Sequence, residues 1–292
     1  MSTNYVIENE AVKLTVSSHG AEIKSLIKKN ENTEIMWQAD PEFWGRTSPV
    51  LFPLVGNYYE KKSVFAGKTY KMGQHGFARD MEFDCVINKE DELSFELSDN
   101  EDTRKKYPFG FKLTIGYKLL KNKVIVKWKV NNTNSETMYF SIGGHPAFNC
   151  DLDTYTLKLM KNNEPLSIVK AGIISSDGSG CLSDEVKEYG IPGGILKMSD
   201  ELFMRDALIV EDEQADEVAL IDDKGNTVLT VKFDMPLFGL WSPTGKHAPF
   251  VCIEPWCGRC DRVGFGQKLE EREYGNTLNK GEAFKKEYTI QI

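Results

Sequence analysis

Alternation of apolar and polar residues runs through most of this 292-residue chain. It is clearest at 112–119 (KLTIGYKL) and 123–130 (KVIVKWKV), which are separated by the short turn Leu120-Lys121-Asn122. A period of two residues is typical of a strand with one buried face, so this pair predicts a β-hairpin. Similar patterns and short apolar runs predict further strands at 11–16, 93–97, 138–142, 154–159, 217–221, 227–231, 238–241, 250–254 and 288–292.

Helical patterns are few, and segments 99–106 and 199–203 can each form only about two turns. Strands at close spacing without intervening helices favour antiparallel sheets over alternating βα units. We therefore predict an all-β fold, a single large antiparallel β-sandwich with a few short helices, in which residues 1–292 form one domain. Segment 223–226 is predicted to be a hairpin turn. The Gly- and Ser-rich stretch 173–194 is predicted to be a long surface excursion.

The composition excludes several classes of partner. The net charge is −8 and no basic stripe with interleaved aromatic residues is present, which disfavours nucleic-acid binding. No apolar run approaches the roughly 20 residues that a membrane span needs. The opening MSTNYVIENE has no secretory signal pattern, so we expect a cytoplasmic protein.

The six cysteines are expected to be reduced thiols in that compartment. Cys257-Gly-Arg-Cys260 has the spacing of a redox or zinc pair, and Cys252 lies nearby. A zinc site would need a second ligand pair or histidines at matching spacing, and none follows. The sequence therefore predicts no metal and no redox cofactor.

Four segments between predicted strands place ionisable residues among glycine, proline and aromatic residues, which is typical of functional loops. They contain Arg46 in WGRTSPVLFPLVG, His75 in GQHGFARD, His145 in SIGGHPAF and Glu254 in FVCIEPWCG. Glu254 ends an apolar strand, and a glutamate is rarely buried without a partner. Burial would raise its pKa and make it a usable base, whereas a rigid Gly-Gly/Pro corner at His145 suits a proton donor.

Each of these residues also has a purely structural interpretation. Arg46 can cap carbonyl groups at a sheet edge, His75 can be satisfied by backbone hydrogen bonds, His145 can lie in an exposed turn, and Glu254 can form a strand-end ion pair. The two other histidines, His19 and His247, are expected in surface turns.

The ordered set resembles the aldose 1-epimerase (galactose mutarotase-like) family, and within it the LacX-like branch. The resemblance runs from about residue 12 to the C-terminus and is carried by Arg46 in GRTSPVLFP, His75 in QHGFARD, His145 in GGHPAF, Asp206 in LFMRDALI and Glu254 in IEPWCG. It implies a twisted β-sandwich with a sugar cleft on a concave sheet face. It also implies that Glu254 is the general base, His145 the general acid and His75 a second active-site histidine, while Arg46 and Asp206 hold sugar hydroxyls. Without the resemblance, Asp206 is typical of a charge pair at a helix end.

The implied reaction opens and recloses an aldose ring. It needs a carboxylate base and an imidazolium acid on opposite sides of the acetal centre, and no cofactor, because nothing is oxidised or transferred. A nearby Glu254 or Asp206 is expected to raise the pKa of the histidine towards neutrality. Aromatic rings can pack on the C–H face of the sugar, and those in or beside the motifs are Trp44, Trp241, Trp256, Phe77 and Phe148.

The substrate is expected to be a small sugar, handled by a monomer or homodimer, with a free hexose favoured over a hexose 6-phosphate. The phosphate alternative depends on Arg79, Arg259 and Arg262, although Asp80 and Asp261 can pair with these arginines. A carbohydrate-binding protein without turnover is a second alternative. A glycoside hydrolase or lyase is a third, and hydrolysis would use two carboxylates, for which Asp206 and Glu254 qualify.

Overall fold

The computed structural model describes residues 2–292, and these residues form twenty-six β-strands, one α-helix and five short 3-10 helices. The first strands are β1 Asn4–Glu8, β2 Val12–Ser17, β3 Ile23–Lys28, β4 Thr33–Glu34, β5 Val50–Leu51, β6 Lys62–Phe65, β7 Lys68–Lys71, β8 Asp84–Asn88 and β9 Glu92–Ser98. They are followed by β10 Phe111–Leu120, β11 Lys123–Asn132, β12 Met138–Phe140, β13 Ile142–Gly144, β14 Ala147–Asn149, β15 Thr156–Lys161, β16 Glu164–Pro165, β17 Ile168–Ile174 and β18 Leu182–Gly190. The last are β19 Ile195–Lys197, β20 Leu208–Val210, β21 Glu217–Ile221, β22 Thr227–Phe233, β23 Leu237–Trp241, β24 Phe250–Cys257, β25 Asn276–Leu278 and β26 Ala283–Gln291. Helix α1 is Glu101–Lys106, and the 3-10 helices are Tyr59–Lys61, Ala78–Asp80, Pro192–Gly194, Asp200–Phe203 and Leu269–Glu271.

Two large antiparallel sheets form a β-sandwich, as predicted. The ten-stranded sheet has the order β16-β15-β21-β22-β26-β11-β10-β9-β8, with β19 also paired to β15. The eight-stranded sheet has the order β18-β17-β20-β23-β24-β13-β5, with β14 also paired to β24. The largest hydrophobic cluster joins the two sheets, since it contains Leu113 and Trp128 of the first and Leu240 and Ile253 of the second. Smaller sheets are formed by β1 to β4, by β12 with β25 and by β6 with β7.

The β10–β11 hairpin shows why alternation predicted this fold. Ile115 lies opposite Trp128 in the register, and both side chains are almost fully buried, whereas the intervening lysines face solvent. Burying one large apolar side chain contributes roughly 1.5–3 kcal/mol, so the two-residue period determines which face of each strand packs inward. The strand positions predicted from alternation are confirmed along the chain, with ends that differ by a few residues.

Three details differ from the prediction. The stretch 173–194 is not a surface excursion, because its residues Leu182–Gly190 form β18, the edge strand of the eight-stranded sheet. Charged residues such as Glu185 and Lys187 occupy this exposed edge, which protects it from pairing with other chains but hides the strand pattern. The segment 138–142 is interrupted at Ser141, so that its two halves join different sheets.

The third difference concerns helices. A capping box at Asn100 and Thr103 begins the predicted helix α1, but the second predicted helix is only a 3-10 turn at Asp200–Phe203. Within residues 2–292, no helix combines the length and the apolar character that crossing a bilayer requires.

Candidate active site

A cavity of about 340 Å³ opens on the face of the eight-stranded sheet that is turned away from the main core. Its polar and aromatic walls are formed by Trp44, Gln74, His75, Arg79, His145, Asp206, Trp241, Glu254 and Trp256. The remaining lining consists of small or apolar residues, namely Val55, Gly56, Ile174, Gly180, Ala207, Ile209 and Cys260. The volume lies at the small end of the ~300–1,000 Å³ range of small-molecule sites.

A larger recess of about 690 Å³ lies on the ten-stranded sheet, where its lining includes Lys127, Lys285 and Glu287. These side chains belong to the solvent face of β11 and β26, which alternates with the packed face. The recess brings together none of the residues that the sequence motifs indicate. We therefore assign the functional site to the smaller cavity.

Strand β24 positions both proposed catalytic residues. Cys252, Glu254 and Trp256 alternate along it and share the face away from the main core. His145 lies between β13 and β14, and both of these strands pair with β24. The pairing therefore places the His145 turn beside Glu254, although the two residues are far apart in the sequence.

His145 and Glu254 are in direct contact. Nε2 of His145 lies 3.3 Å from Oε2 of Glu254, and the two side chains are 8% and 1% exposed. The contact lacks the alignment of a hydrogen bond, so both oxygens of Glu254 and Nδ1 of His145 are buried without a hydrogen-bond partner. The ring of Trp44 stacks on His145 with the centroids 4.8 Å apart.

The predicted increase in the pKa of His145 is wrong. Burial lowers the pKa of His145 to about 3, and the guanidinium groups of Arg79 and Arg46 act in the same direction. Burial also raises the pKa of Glu254 well above its ordinary value, with the nearby Asp206 adding to the effect. The expected increase in the histidine pKa fails because loss of water around the imidazole outweighs the attraction of neighbouring carboxylates. Both shifts favour the neutral imidazole of His145 and the protonated carboxyl group of Glu254.

His75 is held by the backbone of Gly56. Its main-chain N–H donates to the Gly56 carbonyl at 2.8 Å, and the Gly56 N–H donates to His75 Nδ1 at 3.1 Å. The second bond fixes the tautomer, since an Nδ1 that accepts a hydrogen bond leaves the proton on Nε2. His75 also adopts a left-handed backbone conformation with φ of 64°. The ring lies at the cavity edge-to-face with His145, with a centroid separation of 5.6 Å.

Arg79 lines the cavity, whereas Arg46 does not. Arg46 forms an ion pair of 2.7 Å with Asp80, and Nε of Arg79 lies 3.9 Å from the same carboxylate. Arg79 also donates to the Gln74 carbonyl, but its Nε is buried without a partner. Burial and the charge of Arg46 lower the pKa of Arg79 to about 10, which leaves it charged at neutral pH. Two guanidinium groups thus share one carboxylate at this side of the site.

Asp206 and the tryptophans complete the walls. Asp206 lies at the cavity in a left-handed turn with φ of 68°, and burial raises the pKa of its carboxyl group. Trp256 occupies space that side chains would take at two neighbouring glycines, because a Cβ at Gly143 or Gly239 would lie within 2.5 Å of the indole. The sequence feature that permits this packing is a glycine on each of the two strands that flank β24, Gly143 on β13 and Gly239 on β23.

Other residues named from the sequence lie elsewhere. Phe77 and Phe148 are part of the main core. Arg259 and Arg262 pair with Glu211 and Glu273 rather than with Asp261, and do not line the cavity. The histidines His19 and His247 lie in exposed ion pairs, with Glu82 and with Asp153 and Asp200.

All six cysteines lie within the described residues and are free thiols. Burial raises the pKa of Cys257 and of Cys260 to about 12, so both remain protonated at neutral pH. The wall formed by Ile174, Gly180 and Ile209 has no counterpart in the sequence motifs. Ile174 belongs to β17, Gly180 to the segment that follows it, and Ile209 to β20. Only the folded structure shows that these three segments lie at the cavity.

Comparisons with known proteins agree with this architecture. The sequence model of the aldose 1-epimerase family matches residues 3–291, and the chain belongs to this family. The plasmid-encoded protein LacX of Lactococcus lactis subsp. lactis is 28% identical over 302 residues, which cover 98% of each protein. The structure of a galactose mutarotase related enzyme from Lactobacillus acidophilus shares 36% identity with a TM-score of 0.92 over 99% of this chain and 97% of that one. A galactose mutarotase-like protein from Lactobacillus casei ATCC 334 shares 30% identity with a TM-score of 0.90 over 99% of both chains.

Proposed function

We propose that this protein is a cofactor-independent aldose 1-epimerase that interconverts the α and β anomers of a hexose. The observation that carries the proposal is the contact between a buried imidazole and a buried carboxyl group, His145 and Glu254, at the wall of a monosaccharide-sized cavity. Membership of the aldose 1-epimerase family supports it.

The chemistry follows from the position of the two groups. The anomeric O1 and the ring oxygen O5 are bonded to the same carbon, so two groups 3.3 Å apart can each reach one of them. Glu254 takes the proton of the O1 hydroxyl, the C1–O5 bond breaks, a carbonyl forms at C1, and His145 gives its proton to O5. Rotation about C1–C2 followed by the reverse transfers yields the other anomer. The expected placement on opposite sides of the acetal centre is not required.

The reaction needs one proton on the pair at the start and leaves one proton on it at the end. Burial disfavours both charged forms and therefore favours the proton on Glu254. A bound sugar brings hydroxyl groups that hydrogen-bond to charged groups, so it stabilises the carboxylate and the imidazolium. Transfer of the proton across the existing contact then gives the base and the acid that the first step uses.

Polar atoms without partners support a polyhydroxylated ligand. The described residues contain nine buried side-chain polar atoms that lack hydrogen bonds, and five of them belong to cavity residues, namely Arg79, His145, Glu254 (two atoms) and Trp256. Buried polar groups are normally satisfied, so this concentration indicates that a ligand supplies the missing partners. We propose that Asp206, His75 and Arg79 hold sugar hydroxyls and that Trp256 packs on the sugar face. Arg46 then acts indirectly, by orienting Asp80 and Arg79.

A hexose 6-phosphate is the second candidate substrate. The specific observation in its favour is the pairing of Arg46 and Arg79 with only one carboxylate, which leaves a surplus positive charge beside the cavity. Against it, Arg259 and Arg262 are occupied by Glu211 and Glu273. We propose a free hexose as the substrate.

Polarimetry on freshly dissolved α-glucose, α-galactose and α-glucose 6-phosphate tests both points. We expect catalysed mutarotation of a free sugar, and loss of catalysis but retention of sugar binding in Glu254→Gln. Much faster turnover of the phosphate would replace the substrate proposal. Sugar binding without any acceleration would identify a binding protein, and release of reducing sugar from a glycoside would identify a hydrolase.

We also propose that residues 1–292 act as one aldose 1-epimerase domain. Its support is the main hydrophobic cluster, whose members range from Ile7 to Ile290 along the chain and include residues of both large sheets.

A further inference from the structure

A buried thiol lies beside the proposed acid–base pair. Cys252 precedes Glu254 by two residues on β24, so both side chains are on the same face of the strand, and Cys252 is fully buried. The Cys252 sulfur, a ring nitrogen of His145 and a carboxylate oxygen of Glu254 all lie within 4.8 Å of one another. The proposed reaction makes no use of this thiol.

The three atoms fit the coordination sphere of zinc. With Zn–N and Zn–O bonds of about 2.0–2.2 Å, a tetrahedral ion holds nitrogen and oxygen ligands about 3.3 Å apart, which is the separation of His145 Nε2 and Glu254 Oε2. A Zn–S bond of about 2.3 Å places the sulfur about 3.6 Å from the other ligands, and because the three atoms already lie within 4.8 Å of one another, closing the site requires only a small movement of Cys252. Three protein ligands leave a fourth position open towards the cavity, as in open zinc sites.

Charge and hydrogen bonding also favour a divalent cation. One thiolate and one carboxylate balance two positive charges, which matters because an unbalanced charge is costly in a buried site. Both oxygens of Glu254 are buried without hydrogen-bond partners and can accept a metal ion without losing existing bonds. Thiolate and imidazole ligands select zinc over magnesium or calcium.

We propose that His145, Cys252 and Glu254 form a binding site for Zn²⁺, and that the metal-bound protein is inactive. On binding, the Cys252 thiol and the Glu254 carboxyl group each release a proton to solvent, and the thiolate sulfur and the carboxylate coordinate the ion. The metal then occupies the lone pairs of His145 and Glu254 that ring opening needs. The inhibitory consequence, but not the binding itself, rests on the proposed epimerase function.

Binding is tested by titrating metal-free, thiol-reduced full-length protein with Co²⁺, which takes zinc positions and gives a near-ultraviolet charge-transfer band when a thiolate is a ligand. We expect the band at one ion per chain, and its disappearance when Zn²⁺ displaces the cobalt. Cys252→Ala should abolish the band and weaken Zn²⁺ binding at least about tenfold. Loss of a residue that only supports a ligand already weakens metal binding by about 10–100-fold, and loss of a ligand should cost no less. The matched control is Cys260→Ala, which removes a thiol at the same cavity that lies outside the cluster and should keep the band.

Absence of the band in the wild type, or its persistence in Cys252→Ala, would overturn the site. If Cys252→Ala does not fold, Glu254→Gln must weaken Co²⁺ binding at least tenfold for the proposal to survive. Inhibition is measured separately. Zn²⁺ should slow mutarotation by the wild-type protein, and it should slow mutarotation by Cys252→Ala to a smaller extent, with each rate expressed relative to the metal-free rate of the same protein. Because the cobalt band is read without sugar, a protein that binds metal but catalyses no mutarotation refutes the proposed function and keeps the metal site.

Discussion

Two clusters of buried ionisable groups lie close together in this protein and differ in how their polar atoms are satisfied. In the first, His145 and Glu254 meet at the cavity with three ring or carboxylate atoms that lack hydrogen bonds. In the second, Arg272 donates to Asp261 at 2.7 Å, to Ser141 at 3.1 Å and to a main-chain carbonyl, and it lies 4.7 Å over the Tyr58 ring. The other carboxylate oxygen of Asp261 accepts the Tyr59 N–H at 2.8 Å.

The comparison separates burial from function. Each cluster contains a carboxylate that is at least 96% buried. Both carboxylates, of Glu254 and Asp261, belong to the segment that runs from β24 into the following loop. In the first cluster both ionisable residues have polar atoms left free for a ligand, whereas in the second Arg272 and Asp261 are hydrogen-bonded and the Tyr58 hydroxyl is the atom without a partner. A satisfied buried ion pair stabilises a particular arrangement of the chain, whereas an unsatisfied one costs stability and is available for chemistry.

The largest expected effect is on turnover. His145→Gln should reduce kcat for mutarotation by about 10²–10⁴-fold, because it removes a proton donor and acceptor from the site, while the thermal unfolding midpoint should change little. The measurement is polarimetry together with a thermal melt. His247→Gln, at an exposed histidine, is the control and should leave the rate unchanged. An unchanged rate in His145→Gln would show that the first cluster, with its unsatisfied polar atoms, does not take part in catalysis.

The second cluster should respond in stability. Arg272→Met leaves Asp261 buried without its cation, so we expect the free energy of unfolding to fall by about 3–5 kcal/mol. Urea denaturation measures this change. The neighbouring Arg262→Met removes a partly exposed arginine, at 32% side-chain exposure, and should cost about 1 kcal/mol or less. Equal losses in the two variants would mean that the Arg272 network contributes no more than a surface ion pair.

A smaller effect of opposite sign is expected at Glu254. Its pKa in the folded protein is raised above the ordinary 4.5, so its contribution to stability is present below that value and is lost as the pH rises. Glu254→Gln keeps a neutral side chain at every pH, so it should raise the free energy of unfolding at neutral pH, by less than the loss expected in Arg272→Met. The gain should shrink in acid, where the unfolded glutamate is also protonated. Denaturation at pH values on both sides of 4.5 tests this dependence, which a uniform gain or a loss would contradict.

The smallest expected effect is in the pH profile. Because burial lowers the pKa of His145 to about 3, kcat/KM for the catalysed reaction should show no break near 6.5, the ordinary histidine value. The spontaneous rate at each pH is subtracted. A break near 6.5 that disappears in His145→Gln would show that the imidazole titrates as if it were exposed.

Local patterns predicted most of the fold and most of the site, for identifiable reasons. The β10–β11 hairpin is encoded in neighbouring residues, because a two-residue period selects the buried face without reference to the rest of the chain. Among the cavity residues, His75, His145 and Glu254 were predicted from ionisable side chains among glycine, proline and aromatic residues, and Asp206 only from the resemblance of its segment to a known family.

What the sequence did not predict depends on distant packing. The lowered pKa of His145 is caused by loss of water when the surrounding walls form, and no local motif encodes that. The edge strand β18 was missed because its exposed charges obscure alternation. Arg46 was placed at the ligand, but its partner Asp80 holds it outside the cavity wall.

The alignment of β24 has a consequence for how this protein can change. Gly143 pairs with Trp256 and Ala147 with Cys252, and these two pairings bring His145 to Glu254. A shift of one residue would turn Glu254 into the main core and bring Ile253 to the cavity. Insertions are therefore tolerated only outside the strand, for example in the loop 175–181, which contributes Gly180 to the wall. Selection can remodel which ligand fits the cavity by lengthening such loops, while the contact between His145 and Glu254 is inherited with the strand register.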